Sequence, residues 1–328
     1  MSTRRLLAVV VLVPLLAALA LWAFAWPAAR TAPRDLPLGV AGPAAATAQV
    51  EKELQRHEGA FELHRYADEA AARSAIEDRD VFGAVVVTPQ GPELLTASAA
   101  SPVVAQLLQQ AVAQQTAASG AEVRTVDVVA TPASDPRGAA LSSSVLPLAL
   151  AGIIAGAVVT LLGLRGLRAV TALVVSAALV GVIAAALAHS WLGALTGNWW
   201  AEAGALGLAT LAVSSAVAGL AALVGPAGIG AVAFLVMFLG NPFSGAATAP
   251  QLLPDPVGTI GQWLPPGASA TLLRSVSFFD GAAATGPALT LTWWAALGLG
   301  AVVLGDALKK RTKTTTPASA EPALTPVG

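Results

Sequence analysis

Long uncharged apolar stretches alternate along the chain with one polar segment. About 20 apolar residues in a helix, at about 1.5 Å of rise per residue, cross a hydrocarbon core of about 30 Å. The stretch at 227–239 is shorter, and it needs residues 241–243 or a locally thin membrane to complete a crossing. The pattern therefore predicts six spans, at residues 6–26, 145–164, 169–188, 203–224, 227–239 and 287–308.

The polar segment, residues 27–144, alternates between strand-like and helix-like periodicity. A continuous β-branched run near 81–88 is typical of a buried central strand. Predicted strands lie at 36–40, 61–66, 81–88, 93–98 and 123–129, and predicted helices at 44–57, 67–77 and 101–118. The order β-α-β-α-β-β-α-β predicts an α/β sandwich of about a hundred residues, which is large enough for its own core.

Composition strengthens this division into two kinds of segment. Of the 328 residues, 55% are hydrophobic and 11% are charged, whereas soluble domains carry about a quarter charged residues. Fourteen of the 19 acidic residues lie within 27–144. The absence of cysteine excludes disulfides and thiol chemistry, and the net charge of −1 argues against nucleic acid as a partner.

Positive charges beside the spans predict the orientation, because short cytoplasmic loops collect Lys and Arg. These charges are Arg4, Arg5, Arg165, Arg168 and a cluster at 309–313. We expect a multi-pass protein of the cell membrane with both termini in the cytoplasm. Segment 27–144 then forms an extracytoplasmic α/β domain between spans 1 and 2, and residues 309–328 form a disordered cytoplasmic tail.

The first apolar stretch, within residues 1–26, has two interpretations. Ala23-Phe24-Ala25 resembles the small-x-small site of a cleaved signal peptide. However, the apolar run is longer than the core of about 7–15 residues that such peptides have. We favour an uncleaved transmembrane anchor, and cleavage stays open as the alternative.

Catalytic motifs are missing from the sequence. It contains no GxxxxGK[ST], HExxH or GxSxG pattern, and His57, His64 and His189 lack metal-ligand spacing with carboxylates. We predict no enzyme activity, no cofactor and no metal site, and we expect these histidines to be solvated or packed. The spans hold no ionisable residue at mid-depth, which disfavours a proton-coupled carrier.

Candidate functional residues lie in a Pro/Gly-broken outer loop, residues 241–286, within the five-span membrane domain 145–308. The loop is apolar but too interrupted to span, and irregular backbone at membrane depth requires burial in protein or a water-filled cavity. It forms either a re-entrant or lid element at the outer mouth of a pathway, or a loop on the outer surface. The candidate gate residues are Asn241, Pro242, Phe243, Gly245, Trp263, Pro265, Pro266 and Gly267.

Helix packing has its own candidates. Gly152 and Gly156 form a GxxxG pattern in the second span, and small residues at this spacing let two helices approach closely. In so alanine-rich a chain such a spacing also arises by chance.

The layout resembles type-2 ABC exporter permeases, most closely their phage-infection-protein-like (YhgE/Pip) branch. The similar residues are 78–89 (DRDVFGAVVVTP), 241–245 (NPFSG) and 263–267 (WLPPG). The resemblance implies a half-transporter in the lipid bilayer, working as a homodimer or heterodimer and driven by a separate ATP-binding subunit. The inner loops at 163–168 and 225–228 are shorter than the family's usual docking loops for the ATPase.

Three functional hypotheses follow. The first is the permease subunit of an ABC-type exporter, with residues 241–274 closing the outer mouth. The second is a non-pumping membrane scaffold or accessory protein whose outer domain binds a partner or a component of the cell envelope. The third is a receptor-like surface protein.

Overall fold

The computed structural model describes residues 3–119 and 123–314. The predicted tail lies outside this part of the chain from residue 315 onwards. Its first residues, which were expected to be disordered, instead continue the last helix, α11, Thr285–Thr314.

Residues 36–119 and 123–127 form a five-stranded sheet with three helices, here named the sheet unit. The strand order is β2-β1-β3-β4-β5, with β3 and β4 antiparallel and the other neighbouring pairs parallel. The order of strands and helices along the chain is the predicted one, with ends that differ by a few residues. The elements are β1 Leu36–Ala41, α2 Ala44–Gln55, β2 Phe61–Tyr66, α3 Glu69–Glu77, β3 Gly83–Thr88, β4 Gly91–Thr96, α4 Pro102–Ser119 and β5 Arg124–Asp127.

Successive residues of a strand point to opposite faces of the sheet, and β4 shows the result. Leu95 belongs to the core under α3, together with Ile76. Leu94 belongs to the core under α4, together with Val104. Each core also contains residues from far along the chain: Phe279 in the first, and Ala249 and Leu252 in the second.

In the described part of the chain, five helices are long and apolar enough to cross a membrane. They are α1 Thr3–Ala29, α5 Ala139–Leu161, α6 Gly166–Ala185 with a π-helical turn Ala186–Trp191, α7 Trp199–Val224, and α11. The expected span at 227–239 falls in a shorter apolar helix, Ala227–Gly240, made of α8 Ala227–Phe234 and a π-helical turn Leu235–Gly240. By helix length, therefore, five of the six expected spans are long enough to cross.

Helix α5 begins earlier than predicted because its polar first turn is satisfied locally. The carboxylate of Asp135 accepts hydrogen bonds from the backbone N–H groups of Ala139 and Ala140, at 2.9 and 2.8 Å. The hydroxyls of Ser143 and Ser144 donate to carbonyls three or four residues back. Such bonds let serine continue a helix, so α5 starts before the predicted span at 145.

Helix α7 is the centre of the membrane part, because it packs against α5, α6, α10 and α11. The helices approach so closely that several contacts leave no room for a side chain. A Cβ on Gly156 of α5 would lie 2.5 Å from the Ser214 carbonyl oxygen, and one on Gly152 would lie 2.7 Å from Val213 Cβ. A Cβ on Gly181 of α6 would lie 2.3 Å from the Ala203 oxygen.

The stretch between Asn241 and Ala284, here named the linking segment, is not an irregular loop. It contains a 3₁₀ turn Pro250–Leu252, α9 Val257–Trp263 and α10 Pro265–Phe278. Helix α10 starts with two prolines, whose fixed φ suits the first helical turn and whose missing N–H groups would be unpaired there in any case. Most of α10 is buried, including Leu272 and Leu273.

The close contact of α5 with α7 makes a testable prediction. Gly156→Ala places a methyl group against the backbone of α7, and such overpacking costs about 1–3 kcal/mol. We expect a lower midpoint of thermal unfolding in detergent, followed by tryptophan fluorescence. Gly300→Ala in α11 is the control, because a Cβ there meets no atom within 4 Å. Equal midpoints for both variants would contradict the packing described.

Candidate functional site

The start of the linking segment packs against the end of α9 and the start of α10. Much of this contact is between backbone atoms. A Cβ on Gly261 would lie 1.7 Å from the Phe243 oxygen, and one on Gly267 would lie 2.1 Å from the Gly261 oxygen. Pro266 Cγ lies 2.7 Å from the position of a Cβ on Gly240. Glycine at 240 and 261 is what lets residues 240–245 pack directly on residues 261–266.

The candidate residues at 241–245 form the entry to this contact. The Asn241 carbonyl accepts a 2.7 Å hydrogen bond from the Ser244 hydroxyl, and the half-buried Pro242 follows it in the turn. Phe243 is buried with Leu253 and Val257. Gly245 has φ of 66°, a left-handed conformation that favours glycine.

Among the candidates at 263–267, Pro265, Pro266 and Gly267 are buried at the start of α10, whereas Trp263 is not. The Trp263 side chain is 69% exposed. Its carbonyl accepts a 2.9 Å hydrogen bond from Trp294 Nε1, and with Trp293 it lines an apolar groove of about 540 Å³ between α7, α8 and α11. Gly152 and Gly156 lie elsewhere, at the contact of α5 with α7.

Arg79, a residue of the sheet unit, ties that unit to α10. Its Nη1 donates to the Thr271 carbonyl at 3.2 Å and to the Ser275 hydroxyl, and its guanidinium lies 5.2 Å from the Phe279 ring centre. The backbone φ of Arg79 is 65°, which costs a residue other than glycine about 1–2 kcal/mol. The position follows the end of α3, where glycine is usual.

Arg274 of α10 is the second arginine at this junction, and its side chain is buried. Its Nη2 donates to the Ala246 carbonyl at 3.0 Å. Burial lowers the pKa of both Arg79 and Arg274 to about 10, and the nearby charge of Arg79 contributes to the lowering for Arg274. Both guanidinium groups therefore stay charged at neutral pH. Within 3–119 and 123–314, neither forms an ion pair with a carboxylate.

Further hydrogen bonds join the linking segment to its surroundings. Ser101 of the sheet unit donates its hydroxyl to the Thr248 carbonyl at 2.7 Å, and Arg34 Nη1 donates to the Leu252 carbonyl at 3.0 Å. Inside the segment, Gln262 donates from Nε2 to the Ser244 carbonyl at 2.9 Å and accepts from the Thr271 hydroxyl at 2.6 Å. The segment is therefore bound to the sheet unit and across its own turns.

A second polar pair lies at the junction of α6 and α7. Glu202 is fully buried, and its carboxylate lies 2.8 Å from His189 Nδ1 and accepts a 2.9 Å hydrogen bond from the Gly197 N–H. The sequence analysis did not predict that Glu202 is the partner of His189. The two residues lie 13 positions apart, on a π-helical turn and on α7, and a loop lies between these elements. No group of three or more metal-ligating side chains occurs in the described part of the chain.

The contacts of Arg79 generate a prediction. Arg79→Ala removes two hydrogen bonds worth about 1 kcal/mol each and keeps the strained φ. Arg79→Gly removes the same contacts and relieves the strain. We expect both variants to unfold at lower temperature than the parent chain, with the glycine variant more stable than the alanine variant by about 1 kcal/mol. An alanine variant as stable as the parent would show that the link is dispensable.

A comparison with protein families identifies the family of this chain. Residues 4–305 match the family described as ABC-2 family transporter protein. No curated protein and no solved structure matches the chain. Because the match covers most of the sequence, including the sheet unit, the linking segment and most of each long apolar helix, the chain belongs to the ABC-2 transporter family and is a membrane-embedded permease component.

Proposed function

We propose that this chain is the permease subunit of an exporter and is energised by a separate ATPase subunit. The family match supports the permease role. The sequence contains no GxxxxGK[ST] motif, and the chain therefore has no P-loop of its own to hydrolyse ATP. Its similarity to the phage-infection-protein-like branch is part of the same proposal.

The observation that carries the proposal is the burial of α10 between the sheet unit and the helix bundle. Arg79 holds α10 from the side of the sheet unit, and α7 and α11 pack against it from the other. A displacement of the bundle helices would therefore be transmitted to the sheet unit through α10. In our proposal the sheet unit faces outward, and the linking segment closes the outer mouth of the pathway.

In the same proposal, the ATPase binds at the end of the bundle that lies away from the sheet unit. The connections there are short: Gly163 and Arg165 lie between α5 and α6, and Gly225 lies between α7 and α8. A cavity of about 100 Å³ lies beside them, lined by Arg165, Asp306 and Lys309 among others. These short connections also favour the second candidate function, a non-pumping scaffold in which the sheet unit binds a partner.

Copurification distinguishes the two functions. We expect an ATP-binding subunit to copurify with the full-length chain from its native membrane. Arg165→Glu combined with Arg168→Glu should abolish copurification, because it reverses the exposed charges at the proposed docking end. Lys52→Glu combined with Arg137→Glu, an equal double charge reversal at exposed positions in and near the sheet unit, is the control and should retain the partner. Reproducible absence of any ATPase from the parent preparation would favour the scaffold.

Orientation has its own test. The turn at Pro89 and Gln90 between β3 and β4 is exposed, and a Cβ on Gly91 meets no atom within 4 Å. An epitope inserted between Gln90 and Gly91 should therefore leave the sheet intact and react with antibody on unbroken cells. Reactivity only after lysis would reverse the proposed topology.

A further inference from the structure

A cavity of about 190 Å³ lies between the sheet unit and the linking segment. Arg79 and Arg274 both line it, with Gln251, Gln262 and Thr271. A cavity of this size has room for several waters or one small polar group. Here the half-buried Arg79 and the buried Arg274 face the same cavity.

The charge of this cavity is unbalanced. Among the described residues that line it, Asp80 is the only carboxylate, and it is exposed. Two guanidinium groups against one carboxylate leave a positive excess. A buried charge without a partner costs free energy, and here each arginine also opposes the charge of the other.

Donor groups remain available in the cavity. Arg274 uses Nη2 on the Ala246 carbonyl, and Arg79 uses Nη1 on α10. Their other guanidinium nitrogens donate to no described residue. The Oε1 atom of Gln251 is buried without a hydrogen-bond partner; as an acceptor it is satisfied by a donor beside the anion, such as a water or a protonated phosphate oxygen.

We propose that this cavity binds an oxyanion, such as a phosphate group, between Arg79 and Arg274. Arginine presents its N–H groups in a planar fork that matches phosphate oxygens, and such charge-assisted hydrogen bonds are among the stronger ones in proteins. The bound anion offsets the positive excess that remains after Asp80 is counted. Since Arg79 comes from the sheet unit and Arg274 from α10, the anion bridges these two parts.

The oxyanion has two sources with the same chemistry: free phosphate and the headgroup of an anionic lipid. The site goes beyond the proposed transport function and does not depend on it, because binding is measured on the chain alone. A chain that binds phosphate and lacks an ATPase partner would keep this inference and lose the proposed function.

Equilibrium dialysis of the full-length chain with inorganic phosphate in a neutral detergent, at constant ionic strength, tests the site. We expect saturable binding that Arg274→Gln and Arg79→Gln each weaken by about tenfold or more. Arg137→Gln, at an exposed position, should bind as the parent does. Arg274→Lys keeps the charge without the planar fork, so it should fold like the parent and bind several-fold more weakly.

Vesicles then identify the source of the oxyanion. In phosphatidylcholine vesicles containing phosphatidylglycerol, a headgroup in the site should exclude phosphate. Unchanged phosphate binding there would assign the site to a free anion. Absence of phosphate binding in detergent would overturn the proposal, and so would equal binding by the parent and all four variants.

Discussion

Direct backbone contact at glycine is the constraint on which this structure depends. Lipid removes most of the hydrophobic driving force between helices, so their association relies on close packing. Around α7 the contacts at Gly156 and Gly181 leave no space for a methyl group, and Gly298 of α11 repeats the arrangement against Ser215. Gly261 and Gly267 extend the same principle into the linking segment.

This packing determines where the polar groups lie. Helix α10 is held on α7 and α11, and its position presents Ser275 and the Thr271 carbonyl to Arg79. The sheet unit in turn takes Phe279 into one of its cores and Leu252 into the other. The linking segment therefore contributes to the sheet unit as well as to the bundle, and the two parts of the protein share their cores.

Elements whose formation depends on the periodicity or apolar length of their own sequence could be predicted. Alternating and β-branched residues predicted β3 and its neighbouring strands. The length of the uncharged apolar stretches predicted the long helices α1, α5, α6, α7 and α11. The helices of the linking segment could not be predicted, because its prolines and glycines indicate irregular structure and the helices are stabilised by burial against distant elements. The contact of Arg79 with α10 could not be predicted for a related reason. Arg79 and its partner Thr271 are 192 residues apart, and one sequence carries no sign that they meet.

Helix α10 is a buried element that joins the sheet unit to the bundle, and hydrogen–deuterium exchange of the intact chain measures that burial. Buried helical amides exchange only when their surroundings open, whereas exposed turns exchange rapidly. We expect the amides of residues 268–278 to be protected to a degree similar to those of α7. Exchange in α10 as fast as that of the exposed Gln90 amide in the β3–β4 turn would contradict this.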